Sequence, residues 1–151
     1  MLVAQNNLAI TYGKLGRAEE ALRMRGDAYS RWLRLKGEEH LYSLEAANNY
    51  ATALLKLERF EEAKSLLEKT MPVAQRVLGA SDTLTFRMRG CYGQSLLLDD
   101  GATLGDLREA VETLEDTERT ARRVLGGAHP LVGQVERALR QARAALRTRD
   151  A

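Results

Sequence analysis

Asn48-Asn49-Tyr50-Ala51, with Lys56-Leu57 and Glu61-Glu62-Ala63 behind it, repeats an earlier run at a spacing of 42 residues: Asn6-Asn7-Leu8-Ala9, Lys14-Leu15 and Glu19-Glu20-Ala21. No gap is needed to align the copies. A second landmark recurs three times, as Leu35-Lys36-Gly37-Glu38-Glu39-His40, Val77-Leu78-Gly79-Ala80-Ser81-Asp82 and Val124-Leu125-Gly126-Gly127-Ala128-His129. A period between about 20 and 50 residues marks a solenoid, in which each unit buries its apolar face only against its neighbours.

Inside a unit the apolar residues advance by three and four. Ala4, Leu8, Tyr12 and Leu15 share one face of a helix that Gly16-Arg17 ends. A second helix is expected over about 18–36, turning Ala21, Met24, Ala28, Trp32 and Leu35 inward. The same pattern predicts helices near 41–57 and 60–78, then 83–98 and 107–125, and a seventh near 130–146. The expected fold is all-α: a right-handed α-solenoid of about three helix-turn-helix repeats (1–40, 41–82 and 83–129) with a capping helix and tail over 130–151. The turn at 99–106 is five residues longer than its counterparts, and Thr103 or Asp106 is suited to cap the helix after it. Gly26 and Pro72 fall inside helices, where Pro72 removes an amide donor and is expected to bend the chain.

The seventh helix reads as an end. Ala9, Ala51 and Gly93 are equivalent and small, as a close helix crossing requires, but their counterpart there is Arg140. Tyr12, Leu54 and Leu96 correspond to Arg143, whereas Val135, Leu139, Ala142 and Leu146 keep one apolar stripe. Such a helix covers the preceding unit and admits no further one. At the other end Met1 falls within the first helix of a unit, so earlier repeats are expected to precede it.

Composition agrees with an α fold. Leu, Ala, Arg and Glu are abundant and only two prolines occur among 151 residues. The single Cys91 forms no internal disulfide, no apolar run approaches the roughly 18 residues of a membrane span, and residues 1–5 lack the sections of a secretory signal. A cytoplasmic location without membrane contact is the expectation. The net charge of +2 conceals an asymmetry, because residues 117–151 carry eight arginines against three acidic side chains. That end could attract nucleic acid, although a solvated helix face is the stronger expectation.

Catalytic equipment is sparse. His40 and His129 occupy the same inter-repeat junction, where a structural role is expected. Arg34 and His40 match the loose Arg-x5-His spacing of some helical ribonucleases, a pair that arises readily by chance. Cys91 has no motif around it and is expected on a helix as a small hydrophobe, reactive only if nearby Arg87 lowers its pKa. No phosphate loop, dinucleotide fingerprint or metal-ligand spacing occurs, so neither cofactor nor metal is expected and the chain reads as a non-enzyme.

The run Asn6-Asn7-Leu8-Ala9, Tyr12 and Gly16-Arg17-Ala18-Glu19-Glu20-Ala21, with Leu125-Gly126-Gly127-Ala128-His129-Pro130, resembles the tetratricopeptide repeats of kinesin light chains. Those units are longer than the usual 34 or so residues. The third unit departs from the pattern, with Gly90-Cys91 in place of paired asparagines. The resemblance implies a protein-interaction scaffold whose first helices line a concave groove for an extended peptide. Carried over by position, the groove takes Asn7, Ile10 and Lys14 from the first unit. The second gives Glu45, Asn48, Asn49, Thr52 and Lys56, and the third Arg87, Cys91 and Gln94. Asparagine amides offer donors and an acceptor to a peptide backbone, while Lys14, Lys56 and Arg87 would favour acidic ligands. Nucleic-acid binding at the arginine-rich end and a helical ribonuclease are the alternatives.

Overall fold

A computed structural model describes residues 7–8 and 17–150 of the chain. Among these residues six helices and no strand occur: α1 (Ala18–Lys36), α2 (Leu41–Lys56), α3 (Phe60–Leu78), α4 (Thr83–Leu98), α5 (Leu104–Leu125) and α6 (Pro130–Asp150). Asn7 and Leu8 are helical and exposed. The first helix expected from the sequence otherwise lies outside the described residues, as do Ile10 and Lys14.

Each helix packs on the next in sequence, and α2, α4 and α6 also pack on one another in that order. The outer helices α1, α3 and α5 do not pack together. This is an α-solenoid with an inner row of first helices. Its core is one continuous cluster threading all six helices, with Leu54, Leu67, Phe86, Leu96, Leu114 and Val132 almost fully buried.

The repeat register is visible in the junctions. Gly37, Gly79 and Gly126 end α1, α3 and α5 with φ of 84°, 95° and 89° and ψ of 172°, 159° and 152°. That region is essentially closed to residues with a Cβ. Three residues later His40, Asp82 and His129 stand before α2, α4 and α6. Their side chains accept the amides of Tyr42 (3.1 Å), Leu84 (2.9 Å) and Leu131 (3.1 Å). The two histidines are therefore helix caps, doing with Nδ1 what Asp82 does with a carboxylate. His40 also stacks on Trp32, with ring centroids 6.2 Å apart and planes 5° from parallel.

The small-residue rule holds where the helices cross. Ala51 is fully buried, and a Cβ on Gly93 would lie 2.6 Å from Leu114. Gly26 has a separate reason, since a Cβ there would meet the Tyr50 ring at 3.3 Å. α3 carries through Pro72, which is exposed.

Four expectations change. Leu35 does not face inward but is 68% exposed, although it stands two turns beyond the fully buried Ala28, because the last turn of α1 has no neighbour over that face. The enlarged turn is shorter than 99–106, since α5 begins at Leu104. Thr103 and Asp106 do not compete for the cap but form one reciprocal box: the Asp106 amide donates to Thr103 Oγ1 (3.0 Å) and the Thr103 amide to Asp106 Oδ2 (2.9 Å). Finally, α6 runs on to Asp150, and Arg149 donates both terminal nitrogens to the Ala102 carbonyl at 2.8 Å. Val135, Leu139 and Ala142 cover the last hairpin, while Arg140 and Arg143 stay exposed.

Candidate functional site

Glu45, Asn48, Asn49, Thr52 and Lys56 fall within roughly 100° of the α2 circumference, given 3.6 residues per turn. On α4 the same face carries Arg87, Cys91 and Gln94. Because α2 packs on α4 and α4 on α6, these faces lie side by side as one inner wall. In its second half the wall holds a recess of about 220 Å³. Asn48, Thr52, Arg87, Gly90, Cys91 and Gln94 line it from α2 and α4, and Leu131, Gln134, Val135 and Ala138 from α6. Glu45, Asn49 and Lys56 continue the same face outside that recess.

The floor is tied down by short side chains. Thr52 Oγ1 donates to the Asn48 carbonyl at 2.9 Å and lies 3.8 Å from Cys91 Sγ. Cys91 Sγ is also 3.8 Å from Asn48 Oδ1. Asn48 is thus a buried member of the floor, 8% exposed. Asn49 is half-buried, and its backbone carbonyl accepts Arg25 Nη1 at 2.9 Å. Arg87 and Gln134 stand exposed at the rim.

Burial pushes the Cys91 thiol above its ordinary value and outweighs the hydrogen bond with Thr52 and the charge of Arg87, which act the other way. The condition for a reactive thiol, a pKa lowered by Arg87, is therefore not met, and the thiol packs as the small apolar group expected of it. His40 is engaged as a cap and against Trp32, and no hydrogen bond links it to Arg34. Among the described residues no three His, Cys, Asp or Glu side chains are grouped to hold a metal ion. No described helix is long and apolar enough to cross a membrane.

The α6 wall was missed in the sequence. Its signal was present in the repeat register, where Gln134 is the counterpart of Arg87 and Glu45, and Ala138 of Cys91 and Asn49. Reading the last helix as a cap hid its second use. At Gly90 a Cβ would stand 3.7 Å from Val135 Cγ2, an ordinary van der Waals distance.

The family model for the tetratricopeptide repeat matches residues 1–96. The chain belongs to the tetratricopeptide-repeat family. As a tetratricopeptide-repeat protein it has a fold that serves as a non-catalytic scaffold for protein–protein interaction. Similar solved structures include the nearly identical TPR-like repeats assigned to a kinesin light chain of Podosopora anserina, with a TM-score of 0.82 at 22% identity. That alignment covers 93% of this chain, which spans 64% of the other. A point variant of those repeats aligns at a TM-score of 0.58 and 19% identity over 99% of this chain and 88% of its own. BtubC (BKLC) from P. vanneervenii aligns at 0.51 and 18% over 97% and 64%. These likenesses fix the fold as that of the kinesin-light-chain type of repeat. Among curated protein sequences no match is found.

Proposed function

We propose that the inner wall of α2, α4 and α6 holds an extended segment of a partner protein, with the recess taking one of its side chains. The observation that carries this reading is the composition of the recess. Leu131, Val135, Ala138 and Gly90 offer an apolar lining, while Gln94, Gln134 and Arg87 supply polar groups for the ligand backbone and for an acidic neighbour. Asn7, Asn49, Glu45 and Lys56, together with Ile10 and Lys14 by position, extend the contact toward the first unit. The role is that of an adaptor or sensor module without catalysis, in a cytoplasmic setting where Cys91 stays a free thiol.

The test is selection of a random-peptide display library on the full chain. Peptides rich in acidic residues should be enriched. Filling the recess with Gln94→Trp, or reversing its rim with Arg87→Glu, should weaken them by tenfold or more, which is about 1.4 kcal/mol. Arg31→Gln, an exposed change on α1, should leave them unaffected. Selected peptides indifferent to Gln94→Trp and Arg87→Glu would dismiss the recess as a ligand site.

A further inference from the structure

The outward face of α6 carries positive charge that nothing among the described residues answers. Arg137, Arg140 and Arg147 are exposed and make no ion pair or hydrogen bond with the described residues. They differ in this from Arg143, which lies 3.5 Å from Glu115, and from Arg149, which is bound to the Ala102 carbonyl. The three fall within about 80° of the helix circumference and extend over about 15 Å of its length. The carboxylates of α6 do not offset them: Glu136 is held by Arg122, and Asp150, at the far end, pairs with Arg108 at 3.6 Å.

The neighbours on this face are Gln141, Ala144 and Thr148. Neither an aromatic nor a large aliphatic side chain stands among them. A protein partner would need such an anchor, because binding energy at protein interfaces concentrates in buried aromatic and apolar groups. Single-stranded nucleic acid would need rings to stack on. A row of guanidinium groups without either matches a rigid line of phosphates, to which the planar fork can donate two hydrogen bonds at once. Arg140 also stands where Ala51 and Gly93 admit the second helix of their hairpins, so a helix crossing as closely there would meet a long charged side chain.

We propose that this face binds the phosphate backbone of a nucleic-acid duplex without reading its bases. The site adjoins the end of the inner wall, Arg137 and Gln141 being the counterparts of Asn48 and Thr52, but none of its three arginines lines the recess. Three phosphates neutralised on B-DNA give an affinity that falls about 40-fold between 50 and 200 mM salt.

The experiment is fluorescence anisotropy of a labelled 20-base-pair DNA duplex titrated with the full chain. Wild type should bind at 50 mM salt with the steep salt dependence given above. The triple variant Arg137→Gln, Arg140→Gln, Arg147→Gln should lose at least tenfold in affinity. A control that removes the same charge from exposed, unpaired positions of α1, Arg31→Gln, Arg34→Gln, Lys36→Gln, should stay within twofold of wild type. Gln94→Trp should also bind as wild type does. No binding at 50 mM salt, or equal losses in both triple variants, would overturn the proposal. So would tighter binding of a polyglutamate peptide, which would mark a surface for acidic protein, or of a single-stranded oligonucleotide.

Discussion

Gly93 of α4 and Leu114 of α5 meet so closely that a Cβ on the glycine would stand 2.6 Å from Leu114 Cγ and Cδ2. Both residues are buried, and Leu114 is fully enclosed, so the leucine has nowhere to retreat. Alanine in a helix interior is ordinarily better than glycine by up to about 1 kcal/mol, whereas overpacking costs about 1–3 kcal/mol. The clash should win. Gly93→Ala is expected to lower stability by about 1–2 kcal/mol in urea unfolding. The double variant Gly93→Ala, Leu114→Ala should lose less than the sum of the two single changes.

Arg25 holds the position that Leu67 and Leu114 hold in the next two units, and both leucines are fully buried. The residue is 9% exposed, and its guanidinium donates to the Asn49 carbonyl and has no carboxylate partner among the described residues. Burial lowers its pKa from the ordinary value, the mark of a charge that has lost water without full compensation. Replacing a buried charge with a packed apolar side chain is often neutral or stabilising, by up to a few kcal/mol. Arg25→Leu should therefore raise the melting temperature, and a fall of several degrees would show that the bond to Asn49 outweighs the desolvation.

Glu58 closes the turn after α2 with φ of 58°, a left-handed conformation that costs a residue with a Cβ about 1–2 kcal/mol. The corresponding residue of the first unit is Gly16. Glu58→Gly should stabilise the protein by up to about 1 kcal/mol, the strain relieved being partly offset by the greater freedom of glycine in the unfolded chain. Thermal unfolding followed by circular dichroism measures the difference.

Acid stability has a defined source. The hydrogen bond from Arg89 holds the Asp116 carboxyl below its ordinary value, with Arg119 adding to the effect, and the Thr103 amide does the same for Asp106. A carboxyl with a lower pKa in the folded state stabilises fully above its unfolded pKa, and the contribution is lost as pH falls through the folded value. Wild type should hold its stability above about pH 4 and lose it below. The Asp106→Asn, Asp116→Asn variant should start from lower stability at neutral pH and show a shallower decline in acid, measured as urea midpoints from pH 6 to pH 2.

Much of the architecture was legible because the repeat makes every position an experiment performed several times. The spacing of Asn48-Asn49 from Asn6-Asn7 placed the helices, and the sequence of the last helix told which face is covered. Leu35 was misread for a local reason: periodicity shows an apolar residue but not whether the turn after it leaves that residue beside a neighbour. The cap of α5 depended on two side chains acting together, which neither Thr103 nor Asp106 reveals alone. The recess was half legible. Asn48, Thr52, Arg87, Cys91 and Gln94 share helix faces that spacing predicts, but the closing wall from α6 arises from packing between units. Cys91 was legible as a small apolar group, but not its neighbours Asn48 and Thr52, which lie about forty residues away and reach it through packing between units.

Among the described residues the inner helices pack on one another and the outer ones do not, although Lys64 Nζ of α3 reaches Asp106 Oδ1 of α5 at 3.7 Å. Each outer helix also packs on the first helix of the next unit, so the hairpins are joined through their full depth and not along the inner row alone. Fanning them outward would open the apolar contacts of α1 with α2, α3 with α4 and α5 with α6, so the pitch of the superhelix is held by the core itself.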